Sequence, residues 1–205
     1  MKVYVDGENF RHGVANSLMA QRAISSMQEL ETFPLRSLLS LTLEEKHLEI
    51  AYYASKIKLP RGYEPSAEIL AQADQIKEFS RRWVADLAHQ RVHYIKAGYL
   101  KVKTGSVCPH CGHRQEVLQE KGVDVRIAVD IIDDAYKETS PKIAILSSDT
   151  DLIPALERVK RRGLGIAYVC FSRSVNRAMS AVADETITIT PQRIIQAIEE
   201  RTNAH

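Results

Sequence analysis

Short apolar runs alternate along the chain with amphipathic stretches, and that order predicts an α/β domain around a mainly parallel sheet. Residues 3–5 form a buried-type strand that stops at Asp6-Gly7. Residues 48–54 read as a second strand, and residues 92–95 and 99–102 as two short ones either side of Gly98. Residues 143–146 and 166–170 are continuously apolar, as expected of strands covered by helices on both faces. Residues 186–190 close the series with β-branched positions. Between them, Ile69, Ala73, Ile76, Trp83 and Leu87 mark one face of a long helix after Pro65. Ile127, Ala128, Ile131 and Ala135 mark a helix that starts near Gly122. Leu152, Leu156 and Val159 mark another, with Pro154 in its first turn and Gly163 as its left-handed stop. Pro191 starts a last helix through Ile194, Ile195 and Ile198. No internal repeat or low-complexity segment interrupts this order.

This layout puts three acidic residues in telling places. Asp6 ends the first strand and Asn9 follows it. Asp149 lies just past the strand at 143–146, and Asp151 comes at the next helix start. In open α/β sheets, sites form beyond the carboxyl ends of strands where the strand order reverses. If those two strands are neighbours, Asp6 and Asp149 face one cleft. Taken singly, each has a plainer explanation, because Asp-Gly is an ordinary turn pair and Asp151 is a natural N-cap. Asp124 tips the balance. It precedes Ile127, Ala128 and Ile131 by three, four and seven positions, at the head of the apolar stripe, whereas Asp130 and Asp133 project away from it toward solvent. A carboxylate turned toward a core must be paired, bonded or bound to a cation. Clustered carboxylates repel one another unless a cation sits among them, and oxygen-only donors select Mg²⁺ or Mn²⁺. Such ions activate water and polarise phosphoryl oxygens, which points to phosphodiester hydrolysis. The chain has no P-loop, no G-x-G-x-x-G, no G-x-S-x-G and no H-E-x-x-H.

Composition narrows the class without naming a substrate. The 205 residues suit one domain, 1–205, large enough to bury its own core. Lys plus Arg numbers 28 against 26 for Asp plus Glu, so the net charge of +2 alone does not announce a nucleic-acid binder. Three cysteines exclude a disulfide scaffold and suit a reducing cytoplasm. No apolar run reaches the ~20 residues of a membrane helix, and none at the start suits a signal peptide, so a cytoplasmic location is expected.

Three blocks then carry a resemblance: Val3-Tyr4-Val5-Asp6-Gly7-Glu8-Asn9, Glu120-Lys121-Gly122-Val123-Asp124-Val125 and Ser147-Ser148-Asp149-Thr150-Asp151-Leu152. In order and separation they resemble the NYN domain family, in its bacterial LabA-like branch, among the PIN-like nucleases. The similarity covers most of the chain and extends weakly to Ala183-Asp184. It implies a three-layer α/β/α sandwich and a metal-dependent ribonuclease. By motif position, Asp6, Asp124, Asp149 and Asp151 would hold Mg²⁺ or Mn²⁺, and Asn9 would orient Asp6 or the bound water. The family usually has Gly where this chain has Ser148. Two other readings stay open: an RNA-binding or regulatory module that keeps the acidic site but is catalytically weak, and a Toprim-like phosphotransfer domain. Asp149-Thr150-Asp151 would suit the latter, but a Toprim domain would want Glu where Asp6 stands.

The modest net charge hides local bias. Lys77, Arg81, Arg82, Arg91, Lys96, Lys101 and Lys103 crowd one stretch against Glu78 and Asp86, with Tyr94 and Tyr99 available to stack on unpaired bases. Lys101 and Lys103 are the candidates for contact with RNA, single-stranded or structured, together with Arg11 and Arg126 beside the acidic blocks. Arg158, Lys160, Arg161 and Arg162 sit at a helix end, where the dipole favours cations, and read as structural. Cys108-Pro109-His110-Cys111-Gly112-His113 is half of a zinc site. Cys108, Cys111 and His113 would supply three structural Zn²⁺ ligands on a small hairpin insertion at 104–119. The fourth is left to His89, His93 or a second subunit, which would make a homodimer; the alternative is a reduced, metal-free hairpin. Cys170, inside an apolar strand, reads as a small hydrophobe.

Overall fold

The computed structural model describes residues 1–58, 65–107, 109–112, 114–137 and 140–203; Cys108 and His113 lie outside them. In chain order the elements are β1 (Lys2–Asp6), α1 (Gly7–Ala20), α2 (Leu35–Leu43), β2 (Glu49–Ile57), α3 (Ala67–His89), β3 (His93–Val107), β4 (Arg114–Lys121), α4 (Val123–Lys137), β5 (Lys142–Leu146), α5 (Ile153–Arg161), β6 (Gly165–Phe171), α6 (Arg177–Val182), β7 (Glu185–Ile189) and α7 (Pro191–Asn203). The described residues form one seven-stranded sheet in the order β4-β3-β2-β1-β5-β6-β7. All neighbours run parallel except β3 and β4.

Alternation along the strands explains the layers. Val3, Val5, Ile50 and Tyr52 share a core with Phe10, Leu38, Trp83 and Ile194, drawn from α1, α2, α3 and α7. Tyr4, Ala51 and Tyr53 turn to the other face, against Ile127, Leu156 and Met179 of α4, α5 and α6. The result is a three-layer α/β/α sandwich of the PIN-like kind. Phe10 is fully buried, with ring centroids of Phe33, Tyr52, Trp83 and Phe171 at 5.6–6.5 Å. Truncating such a residue to Ala costs about 3–5 kcal/mol, so this cluster secures the layer that carries α1.

Two departures from the sequence reading concern β3 and its neighbour. The two strands expected either side of Gly98 are one, His93–Val107. Gly98 is needed there for a close approach: a Cβ would sit 2.4 Å from the Lys121 carbonyl oxygen and 2.9 Å from Val123 Cγ2. The register shift lies between Ala54 and Ser55, opposite Ala97. Polar residues 114–121, whose pattern signals no strand, pair antiparallel with β3 and extend the sheet. Helices α1 and α2 also lack a clear stripe in the sequence reading. The short helix α6 is not among the expected elements either; the remaining elements lie within a few residues of the expected bounds, including Pro154 at the start of α5 and Gly163 at φ +84° after it. Cys170 is buried. Among the described residues, no helix is long and apolar enough to cross a membrane.

Candidate active site

The chain leaves β1 to build one half of the sheet, β2 and β3, and returns at β5 to build the other. The reversal therefore falls between β1 and β5, which are direct parallel neighbours with Val5 opposite Leu146. Asp6 ends β1 at this point, and Ser147, Ser148 and Asp149 follow β5.

Asp6 is 3% exposed and caps α1. Its Oδ1 accepts from the backbone N–H groups of Glu8 and Asn9, each at 3.1 Å; its Oδ2 accepts from Asn9 Nδ2 at 2.5 Å and Ser147 Oγ at 3.0 Å. Those four bonds fill the acceptor capacity of a carboxylate. Burial pushes the Asp6 pKa up, and the bonds pull against it. Gly7 lets α1 begin at once, because a Cβ there would sit 2.6 Å from both the Tyr52 ring and the Tyr53 carbonyl oxygen. Asn9 in turn accepts from the Ser148 backbone N–H at 3.3 Å and from the Ser148 hydroxyl. Ser148 thus ties the β5 loop to α1.

Asp149 caps a single 3₁₀ turn at Thr150–Leu152 through the Asp151 N–H at 2.9 Å, and Asp151 is exposed in that turn. Asp124, half-buried in the first turn of α4, faces the same edge from the opposite layer. Its pKa is pushed up to about 6, by burial first, then by the charges of Asp149, Asp6 and Asp151. Asp124 thus feels carboxylates that come from residues 6, 149 and 151, far from it in the chain. Glu120, at the end of β4, has a pKa pushed up to about 7 by burial and by the charges of Asp6, Glu8 and Asp124, against a Ser55 hydrogen bond that lowers it. Sequence reasoning gave Glu120 no role, because it ends a polar stretch with no periodic signal. Its place directly before Lys121-Gly122 and the α4 stripe was the available hint.

The donor set fits a hard divalent cation in kind, being all carboxylate oxygen with mutual repulsion left to neutralise. Among the described residues, no three Asp, Glu, His or Cys side chains stand close enough to form a ready coordination shell. Asp6 would have to exchange a protein donor for the ion.

The other expected residues are distributed more widely. Arg11 lies near the edge, its guanidinium 3.9 Å from the Phe79 ring centroid, with Glu8 3.8 Å away. Arg126 is tied by Asp130 at 2.8 Å. Asp130 also accepts from the Tyr53 hydroxyl at 3.0 Å, so it anchors α4 to the sheet instead of lying in solvent as its helix position suggested. Asp133 is exposed. Lys101 and Lys103 are exposed on β3 opposite Gln119 and Val117, out on the ribbon and not among the carboxylates. Lys160 pairs with Asp184 and Arg161 with Glu157, so that cluster is engaged in local contacts. Cys111 is exposed in the β3–β4 turn beside Gly112 at φ +69°; its expected co-ligands Cys108 and His113 lie outside the described residues.

Comparison with curated proteins found no match. A crystal structure of a protein of unknown function from Vibrio parahaemolyticus is similar over 92% of this chain and 91% of its own, at 16% identity and a TM-score of 0.48. The family model for the NYN domain matches residues 1–190. With that match over nearly the whole length, the chain belongs to the NYN domain family.

Proposed function

We propose that this protein is a metal-dependent ribonuclease whose acidic site is Asp6, Asp124, Asp149 and Asp151. The observation that carries the reading is the placement of carboxylates from β1 and the β5 loop where the strand order reverses, with the charges of Asp149, Asp6 and Asp151 acting on Asp124 of α4. Family membership supports it, since NYN domains are PIN-like and generally nucleolytic. The Glu120–Val125 and Ser147–Leu152 blocks support the LabA-like branch.

A bound Mg²⁺ or Mn²⁺ would supply an activated water and a polarised phosphoryl oxygen. Asp124, Asp149 and Asp151 would hold it, with Asp6 joining once a bond from Ser147 or Asn9 is released. Asn9 orients the Asp6 carboxylate through its Nδ2 and holds the β5 loop through its Oδ1. Lys101 and Lys103, exposed on β3, would grip phosphates farther along the strand, and Arg11 would take one close by. Structural Zn²⁺ at Cys108, Cys111 and His113 belongs to the same reading. Elemental analysis should then find about one zinc per chain, about half if a homodimer shares the site, and none if the hairpin is merely reduced.

The test is digestion of single- and double-stranded RNA and DNA by the full chain with Mn²⁺, with Mg²⁺ and with chelator. RNA should be cut only with an added ion, and not by Asp149→Asn. RNA held without cleavage under every ion would instead favour the catalytically weak RNA-binding module. One observation favours that second reading: Asp6 has no acceptor position left unfilled. The family match lends the Toprim-like alternative no support.

A further inference from the structure

Beside the carboxylates, on the α1–α3 face of the sheet, lies a cavity of about 360 Å³ that the chemistry above does not use. Gly7, Glu8 and Glu120 are among its lining residues, so it borders the acidic edge itself. The size falls in the range that encloses small organic ligands. Its wall is aromatic. Phe79 and Trp83 stack at 5.4 Å and 25°, and Tyr52 and Tyr94 at 6.0 Å and 20°. Leu100 and Leu118, from the β3–β4 ribbon, line the other side.

The polar groups in this wall are few and of distinct kinds. Arg11 is largely buried, and its Nε, shielded from solvent, has no hydrogen-bond partner among the described residues. Its nearest carboxylate, Glu8, stays at 3.8 Å, beyond hydrogen-bond reach, so a buried cation is left with donor capacity unspent. Ser55 and Glu120 present a hydroxyl and a carboxyl to the same space. From the Ser55 and Tyr94 side a groove continues past Lys56 and Lys96, exposed lysines with no ion pair among the described residues.

A flat π-surface, a cation with an unfilled donor and two groups able to bond a heteroaromatic edge describe a nucleotide in parts. We propose that this cavity takes one unstacked nucleotide of a single-stranded RNA, its base against Tyr94, its phosphate on Arg11 where that guanidinium lies over Phe79, and its base edge toward Ser55 and Glu120. Lys56 and Lys96 then carry the backbone away from the site. The proposal rests on RNA as the partner, as inferred above, and adds strand selection: a paired base cannot enter, so duplex RNA is excluded from the cavity.

Trp83 is the only tryptophan of the chain and part of the wall, so its fluorescence reports on occupancy without any cleavage. The experiment titrates the full chain in chelator with a short single-stranded oligoribonucleotide and with the same sequence as a duplex. Anisotropy of labelled RNA reports total binding in parallel, and Mn²⁺-dependent cleavage is assayed separately. The single strand should quench Trp83 saturably and the duplex should not. Tyr94→Leu, which removes a ring but keeps an apolar side chain, should weaken the quench-linked affinity by about tenfold or more, on the scale of one lost base stack. Ser80→Phe fills the cavity mouth from α3 and should abolish the quench, so the proposal stays testable should Tyr94→Leu fail to fold. RNA that binds by anisotropy without quenching, or with a quench unchanged in both variants, overturns the cavity; so does equal quenching by the duplex. Cleavage without quenching overturns the cavity and leaves the nuclease standing. Quenching without cleavage under any ion does the reverse. No RNA binding of any kind overturns both.

Discussion

Asp6 and Asp124 face the same edge of the sheet under opposite conditions. Asp6 is almost fully buried and receives four hydrogen bonds from Glu8, Asn9 and Ser147. Asp124 is half-buried, and the neighbours that dominate it are other carboxylates. One acid is therefore a fixed part of the scaffold that also borders the site; the other is held under repulsion that folding alone does not relieve. Charge left uncompensated in a native structure marks the place where something else is meant to bind. By that measure Asp124, not the more deeply buried Asp6, is the better indicator of function.

The sharpest test of this contrast is Asp124→Asn. Cleavage with Mn²⁺ should fall on the order of a hundredfold or more, the scale of losing charge stabilisation at a phosphoryl group. The melting temperature should hold or rise, since a repelling charge is gone. A clear drop in melting temperature would make Asp124 a structural residue and erase the distinction. Asp6→Ala should show the other pattern, losing both cleavage and about 1–3 kcal/mol of stability through the missing cap and the stranded donors of Asn9 and Ser147. Urea unfolding of the two variants, compared directly, decides it.

Next in size is the response to pH. Asp6, Asp124 and Glu120 have pKa values raised in the folded state, so the native protein holds their protons more tightly than the unfolded chain. Where the native state binds more protons, stability falls as pH rises. For Asp124 and Glu120 the window runs from their ordinary values, 3.8 and 4.5, to about 6 and about 7. In chelator the melting temperature should therefore decline across this interval as these groups ionise, and Mn²⁺ should lessen the decline. A rise over the same interval would mean that some cationic group already neutralises the cluster.

The smallest effect belongs farthest out. Lys101→Ala with Lys103→Ala should weaken RNA binding and reduce its log–log salt slope by about one to two, leaving saturated turnover little changed. An unaltered slope would reduce that strand to solvated surface.

The place of Asp6 was legible in the sequence because an aspartate directly after a short apolar strand has few places to go. The sequence carried the sandwich for the same reason, since runs such as Ile143–Leu146 can be covered only on both faces. What escaped it depends on distant partners. The polar strand β4 owes its conformation to pairing with β3, not to its own pattern. Gly98 looked like a break and is instead a close contact with Lys121 and Val123. Asp130 looked solvated because helical periodicity counts faces and does not foresee a tyrosine hydroxyl reaching across from β2. Glu120 became visible only when the end of β4 was brought beside Asp6 and Asp124.

The central position of β1 also governs when the site can exist during synthesis. β2 emerges soon after β1 and can pair with one side of it; β5 must wait for about a hundred further residues. Until then the other side of β1 is an open edge, flanked by Val3 and Val5 that end with no exposed surface at all. A ribosome-bound chain shorter than β5 thus carries Asp6 without its Ser147 partner. The acidic edge is complete only once the sheet is closed from the middle.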